Sequence, residues 1–272
     1  MKKNIIMHKF MTGILAVILP VSGIHAEICP PHYGDSIQTC GVEFRTEDEF
    51  KFNAKQLILP GLLIAAGFLG VSDKGWFHKK INLRVRDGIQ NWRKDRRFKA
   101  DDYIQYLPLA AHLGLSACGV KAKTTYKERI AVMVTSYAAL GIMVNGIKYA
   151  SGKSRPDGSK KNSFVSGHTA TVFMGAELVR TEYKDASPWY GVGAYTVATG
   201  VGFLRLYNNH HWVSDVVAGA GVGILSARIG YWLLPFERKL FGWDGKGKRT
   251  LVAVPYYQPD TKSAGASFSM VF

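Results

Sequence analysis

The chain has 272 residues, 47% of them hydrophobic, with 35 Lys and Arg against 20 Asp and Glu, a formal charge of +15. That length suits one sizeable core with a stub or tail, and a mean hydropathy of −0.01 is low for a bundle wholly embedded in lipid. The positive field points to anionic partners: nucleic acid, an anionic membrane surface or phosphorylated substrates.

The N-terminus reads as an export signal. Met1, Lys2 and Lys3 form a charged start, residues 10–24 a short apolar run, and His25-Ala26 a cleavage edge. The run contains Gly13, Pro20, Ser22 and Gly23 and is short for a membrane span, which favours a cleaved signal over residues 1–26 rather than an anchor helix. Export argues against a nucleic-acid role. Residues 27–55 then form an exported polar segment. In it Cys29 and Cys40 flank a loop and could pair in an oxidising compartment. Cys118 lies in an apolar run and is expected as a buried free thiol.

Residues 56–72 are uncharged and apolar. Residues 79–99 follow, with Ile81, Val85, Ile89 and Trp92 near one helical face and basic residues around the rest. Such a helix either packs on the core with a solvated face or lies on an anionic membrane surface. Uncharged runs at 103–120, 130–147 and 186–204, and a run at 216–236 interrupted by Arg228, each approach the roughly 17 residues that can cross a bilayer. Each could also be a buried core helix, and His112 and Asn145 temper the membrane reading. The expected fold is all-α: a bundle of about six helices over residues 56–240, membrane-embedded or membrane-associated. Residues 241–272 contain Gly, Pro and alternating residues and read as a short hairpin or extended tail.

Three segments carry chemistry: KYASGKSRP from Lys148, SGH from Ser166, and RLYNNHHWVSD from Arg205. Each sits at an end of an apolar helix, with charged or polar groups that a core would reject unless used. Lys148, Arg155 and Arg205 could meet a phosphate dianion, arginine as a planar fork and lysine as a point charge. Taken singly, each is more often a surface cation. Ser166-Gly167-His168 opens a helix whose first N–H groups favour an anion. Gly167 allows close approach to the backbone, and His168 can give a proton to a leaving oxygen. His211 and Asp215 are four apart, which on a helix puts them on one face, the carboxylate fixing the imidazole tautomer. His210 would point about 100° away, so spacing selects His211.

The order K-x6-RP, SGH, R-x5-H-x3-D resembles the signature of the type 2 phosphatidic acid phosphatase (PAP2) superfamily, over about residues 103–235. Two positions depart from it: Val165 stands where a proline normally precedes SGH, and Leu204 where a serine normally precedes the arginine. The resemblance implies that His211 attacks phosphorus, Asp215 orients it, and His168 protonates the leaving alkoxide. Lys148, Arg155, Ser166, Gly167 and Arg205 hold the phosphoryl oxygens, with no metal and no cofactor. It also implies a phosphorylated lipid as substrate, with lipid A favoured over phosphatidylglycerophosphate, phosphatidate and undecaprenyl pyrophosphate. The site is expected in the cell envelope, facing the periplasm from the inner membrane or within the periplasm. A soluble nonspecific acid phosphatase, a vanadate-dependent haloperoxidase and a basic lipid-binding protein are the competing functions. The preferred crossing pattern keeps residues 56–72 at the surface or in the core and lets 103–120 and 130–147 cross.

Overall fold

A computed structural model of the chain describes residues 50–93, 96–243, 250–258 and 263–271. The proposed signal, Cys29 and Cys40 lie outside the described residues. The body is all-α, as expected. Its helices are α1 Ile58–Phe68, α2 Leu83–Arg93, the single turn α3 Asp101–Ile104, α4 Leu107–Gly114, α5 Tyr126–Ser151, α6 Gly167–Tyr183, α7 Pro188–Tyr207 and α8 Val213–Leu240. A 3-10 turn, Ala54–Leu57, leads into α1, and a π-helical turn, His78–Asn82, leads into α2. Strands β1 Thr250–Gln258 and β2 Ser263–Val271 then pair antiparallel, Thr250 opposite Val271 and Gln258 opposite Ser263.

Local sequence sets the helix ends. At the start of α5, Thr125 and Glu128 form a capping box, with Thr125 N donating to Glu128 Oε2 at 2.8 Å. The same helix stops at Gly152, whose φ of 53° is left-handed. Helix α7 opens with Pro188 behind the cap Ser187. The apolar run at 103–120 does not become one long helix. Pro108 falls in the first turn of α4, and the segment breaks into α3, the eight residues of α4 and a chain of turns ending at Gly119 (φ 87°). Cys118 sits on those turns and is exposed, not buried as expected, because the helix that would have covered it has ended.

Contacts along the long helices fix their directions. A Cβ at Gly219 of α8 would stand 2.8 Å from Ser166 O, and further along Tyr231 donates to Glu182 Oε2 at 2.8 Å, so α8 runs parallel to α6. Arg238, late in α8, meets Glu128, early in α5, at 2.6 Å, and Gly191, early in α7, packs on Arg180, late in α6. Helices α5 and α7 therefore run the opposite way. Helix α8 is central, packed against α1, α5 and α6. The crossing with α6 closes because residue 223 is glycine: a Cβ there would run into Ala170 O. One core cluster joins α5, α6 and α8 through Val132, Leu140, Met174, Leu178, Val222 and Leu234, and a second joins α6 and α7 through Val172, Val179, Ala194 and Val201.

Two further stretches run the length of the bundle. Phe50 stacks on Tyr231 (5.2 Å between ring centroids) with Arg238 above it, at the far end of α8. Gly70 lies against Ser214 at the near end. Residues 50–70 thus traverse the bundle instead of staying at one surface. Residues 101–120 traverse it back, since Lys123 N bonds Glu182 O at 3.2 Å at the far end.

Among the described residues, two helices, α5 and α8, are long and apolar enough to cross a membrane. Helix α5 carries exposed apolar side chains along its length, Val134 at 59% and Ile142 at 75%. Such a stripe along a 26-residue helix suits contact with lipid. Two polar residues within the apolar runs have partners. Arg228 pairs with the buried Glu177 at 2.8 Å, and Asn145 donates to Gly141 O at 2.8 Å.

Candidate active site

Because α5 and α7 end where α6 and α8 begin, the three sequence segments meet at one end of the bundle. Two helix N-termini and two C-terminal turns share that end. The former favour anions, and the latter favour the cations they carry, Lys148 in the last turn of α5 and Arg205 in the last turn of α7. Arg155 comes from the 15-residue link between α5 and α6. There Gly158 N donates to Arg155 O at 3.0 Å, Gly158 has φ 71°, and Arg155 Nε reaches Asn162 Oδ1 at 3.2 Å. The three cations are near enough for each to act on the next. Burial and then the Arg205 guanidinium hold Arg155 below the usual arginine value.

Ser166 is the N-cap of α6 and is fully buried; its hydroxyl accepts from Thr169 Oγ1 at 2.9 Å. Its side chain is therefore used by local structure, and a ligand would reach it only if it turned. Gly167 opens the helix with free space where a Cβ would stand. His168 follows, with Nε2 3.0 Å from Asp102 Oδ1.

His211 and Asp215 do come together, but not on a helical face. The chain turns at Asn209, which adopts φ 61°, and α8 starts only at Val213 with Trp212 as its cap. His211 thus precedes the helix, and Asp215 sits in its first turn. Asp215 Oδ2 accepts from Trp212 N at 3.0 Å and from Ser163 Oγ, and stands 3.5 Å from His211 Nδ1. At that distance the ring nitrogen is within charge reach but is not an aligned hydrogen bond in this ligand-free geometry. His210 turns away to Asp157, Nδ1 to Oδ2 at 3.4 Å.

Burial pushes His211 down to about 4; Asp215 works against this, and Arg205 and Arg155 add to it. The imidazole is therefore neutral at ordinary pH, the form that can act as nucleophile. The linkage has a definite sign. Between about 6.5 and 4 the unfolded chain binds a proton at His211 that the folded chain refuses, so stability falls as pH falls across that window. Thermal melting from pH 7 to 4 should show a falling midpoint starting near 6.5. A flat midpoint down to pH 4.5 would contradict it.

Several residues at the site were not singled out from sequence. Asp101 is buried and pairs with Arg205 Nη1 at 2.5 Å, while Asn208 donates to Asp101 Oδ1 at 3.2 Å. Asn82, on the π-helical turn, donates to Ser214 Oγ at 3.0 Å and accepts from Ser214 N at 3.2 Å, bracing the turn that holds Asp215. Lys153 donates to Gly70 O and lies over the Trp212 ring, 5.7 Å to its centroid. A signal existed only for the aspartates, an acidic pair directly after a basic run. A small cavity of about 10 Å³ opens beside His211, walled by Asn82, Val85, Arg86, Ile89, Leu206 and Trp212. The inward face of α2 thus closes the back of the site, whereas Trp92, expected on that face, is exposed against Tyr207.

Residues 129–239 match the family model of the PAP2 superfamily. All eight sequence-selected site residues fall inside that range. The chain is 45% identical over 136 residues to the lipid A 1-phosphatase of Porphyromonas gingivalis, a match covering 50% of this chain and 31% of that protein. The chain therefore matches about a third of the length of this relative. Two solved structures resemble it at lower identity. LpxE of Aquifex aeolicus is 21% identical over 55% of this chain and 93% of its own, with a TM-score of 0.42. A transmembrane PAP2 type phosphatidylglycerolphosphate phosphatase from Bacillus subtilis is 19% identical over 70% and 98%, with a TM-score of 0.45.

Proposed function

We propose that this chain is a metal-independent phosphatase that hydrolyses a phosphate monoester of a membrane lipid, lipid A by preference, through a phosphohistidine. The observation that carries this is the meeting of Lys148, Arg155 and Arg205 with His168 and the His211–Asp215 pair at the one bundle end where two helix N-termini converge. In this reading the cations and the first N–H groups of α6 hold the phosphoryl oxygens. Neutral His211 attacks phosphorus as the ester bond breaks, and Asp215 balances the charge it acquires. His168 gives its proton to the leaving alkoxide, then takes one from the water that hydrolyses the phosphohistidine. The identity to a protein named lipid A 1-phosphatase supports the substrate, and the exposed apolar face of α5 supports a lipid over a soluble ester.

Membrane placement carries one constraint. Phe50 and the site lie at opposite ends of the bundle. If the bundle spans a bilayer, export of residues 27–49 and an outward-facing site exclude each other; within the periplasm the two are compatible.

Phosphate release with EDTA present tests the function. Lipid A, phosphatidylglycerophosphate and p-nitrophenyl phosphate are compared in detergent. Release from lipid A exceeding that from the other two is expected. Fast release from p-nitrophenyl phosphate without detergent would favour a soluble acid phosphatase, and loss of activity in EDTA would overturn the metal-independent mechanism.

A further inference from the structure

Asp101 and Asp102 are neighbours on α3, and both lie within charge reach of Arg205, Asp102 Oδ1 standing 3.7 Å from its Nη1. Asp101 holds Arg205, and Asp102 Oδ1 lies 3.0 Å from His168 Nε2. Asp101 is buried, whereas the Asp102 side chain is 54% exposed, so Asp102 does not serve the core. With Nε2 engaged, His168 Nδ1 has no hydrogen bond among the described residues. The charged groups facing the ring are Asp101 and Asp102 from α3 and Arg205 from α7. Burial and then Arg205 hold His168 below the usual histidine value, and the carboxylate on Nε2 works against them in favour of the protonated ring.

We infer that Asp102 is a positioning residue for the proton donor: it fixes the His168 ring through Nε2 and favours the imidazolium, leaving Nδ1–H to protonate the leaving alkoxide. This rests on the phosphatase reading above. As the His211–phosphorus bond forms and the ester P–O bond breaks, the alkoxide takes the Nδ1 proton and leaves as the alcohol. Neutral His168 then takes a proton from water as its oxygen attacks the phosphohistidine. The imidazolium and free His211 are restored, and no other reactant is needed. Asp102 itself keeps its charge throughout and touches neither substrate nor phosphorus.

The test exploits leaving-group basicity. An alkyl alkoxide needs the proton; p-nitrophenolate hardly does. Asp102→Asn should lower kcat on an alkyl phosphate such as octyl phosphate by about 10–100-fold, part of what a general acid supplies, with a much smaller loss on p-nitrophenyl phosphate. His168→Ala should show the same split, larger. The double variant should lose no more than His168→Ala alone, because the two residues act as a unit. Asp102→Glu should recover part of the loss. Equal losses on both substrates in Asp102→Asn, with the split intact in His168→Ala, would make Asp102 merely structural. A gain in kcat/KM would make it a plug over the site. If His168→Ala shows no split, the proton-donor role itself fails and the inference with it. If the unaltered protein releases phosphate from neither substrate, the phosphatase reading is what has failed.

Discussion

His211→Ala is expected to lower kcat by about 10⁴-fold or more and to abolish covalent capture of phosphate by the protein. Two features set the size of this effect. The imidazole lies at the junction of the three cations, and burial keeps it unprotonated down to a pH of about 4. Asp215 beside it is fully buried and held by Ser163 and the Trp212 amide, so it is in place before a ligand arrives. Rapid acid or alkali quench with radiolabelled substrate checks it. The unaltered protein should yield a phosphoprotein that survives alkali and is lost in acid, the behaviour of a phosphoramidate, and the variant should yield none. An alkali-labile adduct, or turnover that persists in the variant, would remove His211 as the nucleophile.

Arg205→Ala should differ from Arg155→Ala in kind. Both remove a fork for phosphoryl oxygens, and each should lower kcat/KM by about 10²-fold or more. Only Arg205 also neutralises a buried carboxylate: Asp101 is 1% exposed and 2.5 Å away. Leaving that charge unpaired should cost about 3–5 kcal/mol of stability, whereas Arg155, half-buried in a link, should cost little. Adding Asp101→Ala to Arg205→Ala removes the orphaned charge and should restore much of the stability and none of the activity. Thermal melting in detergent alongside phosphate release separates the two quantities. Equal destabilisation by both arginine variants would mean that the Asp101–Arg205 pair contributes nothing to the fold.

Much of this was legible in sequence because it is local. Apolar runs at the right length gave α5, α7 and α8. Thr125 and Glu128, Gly152, and Ser187 with Pro188 mark helix ends by chemistry that acts within a few residues. The motif spacings picked out the residues that meet at the site. The run at 103–120 misled because apolar composition does not register the break at Pro108 or the turns that leave Cys118 exposed. The His211–Asp215 pairing was right and its geometry wrong. Four-residue spacing suggests a helical face, but the backbone turns at Asn209 and α8 starts two residues after His211.

By itself the sequence determined the all-α body, the three polar segments at helix ends and the histidines within them, because capping, periodicity and charge act over short stretches of chain. Only the tertiary structure decided that α6 and α8 run parallel, that residues 50–70 traverse the bundle, and that Asp101, Asp102 and Asn82 join the site. Those facts depend on which helices touch. Contacts such as Asn82 to Ser214, 132 residues apart, leave no mark in local spacing, because packing selects them after the elements have formed.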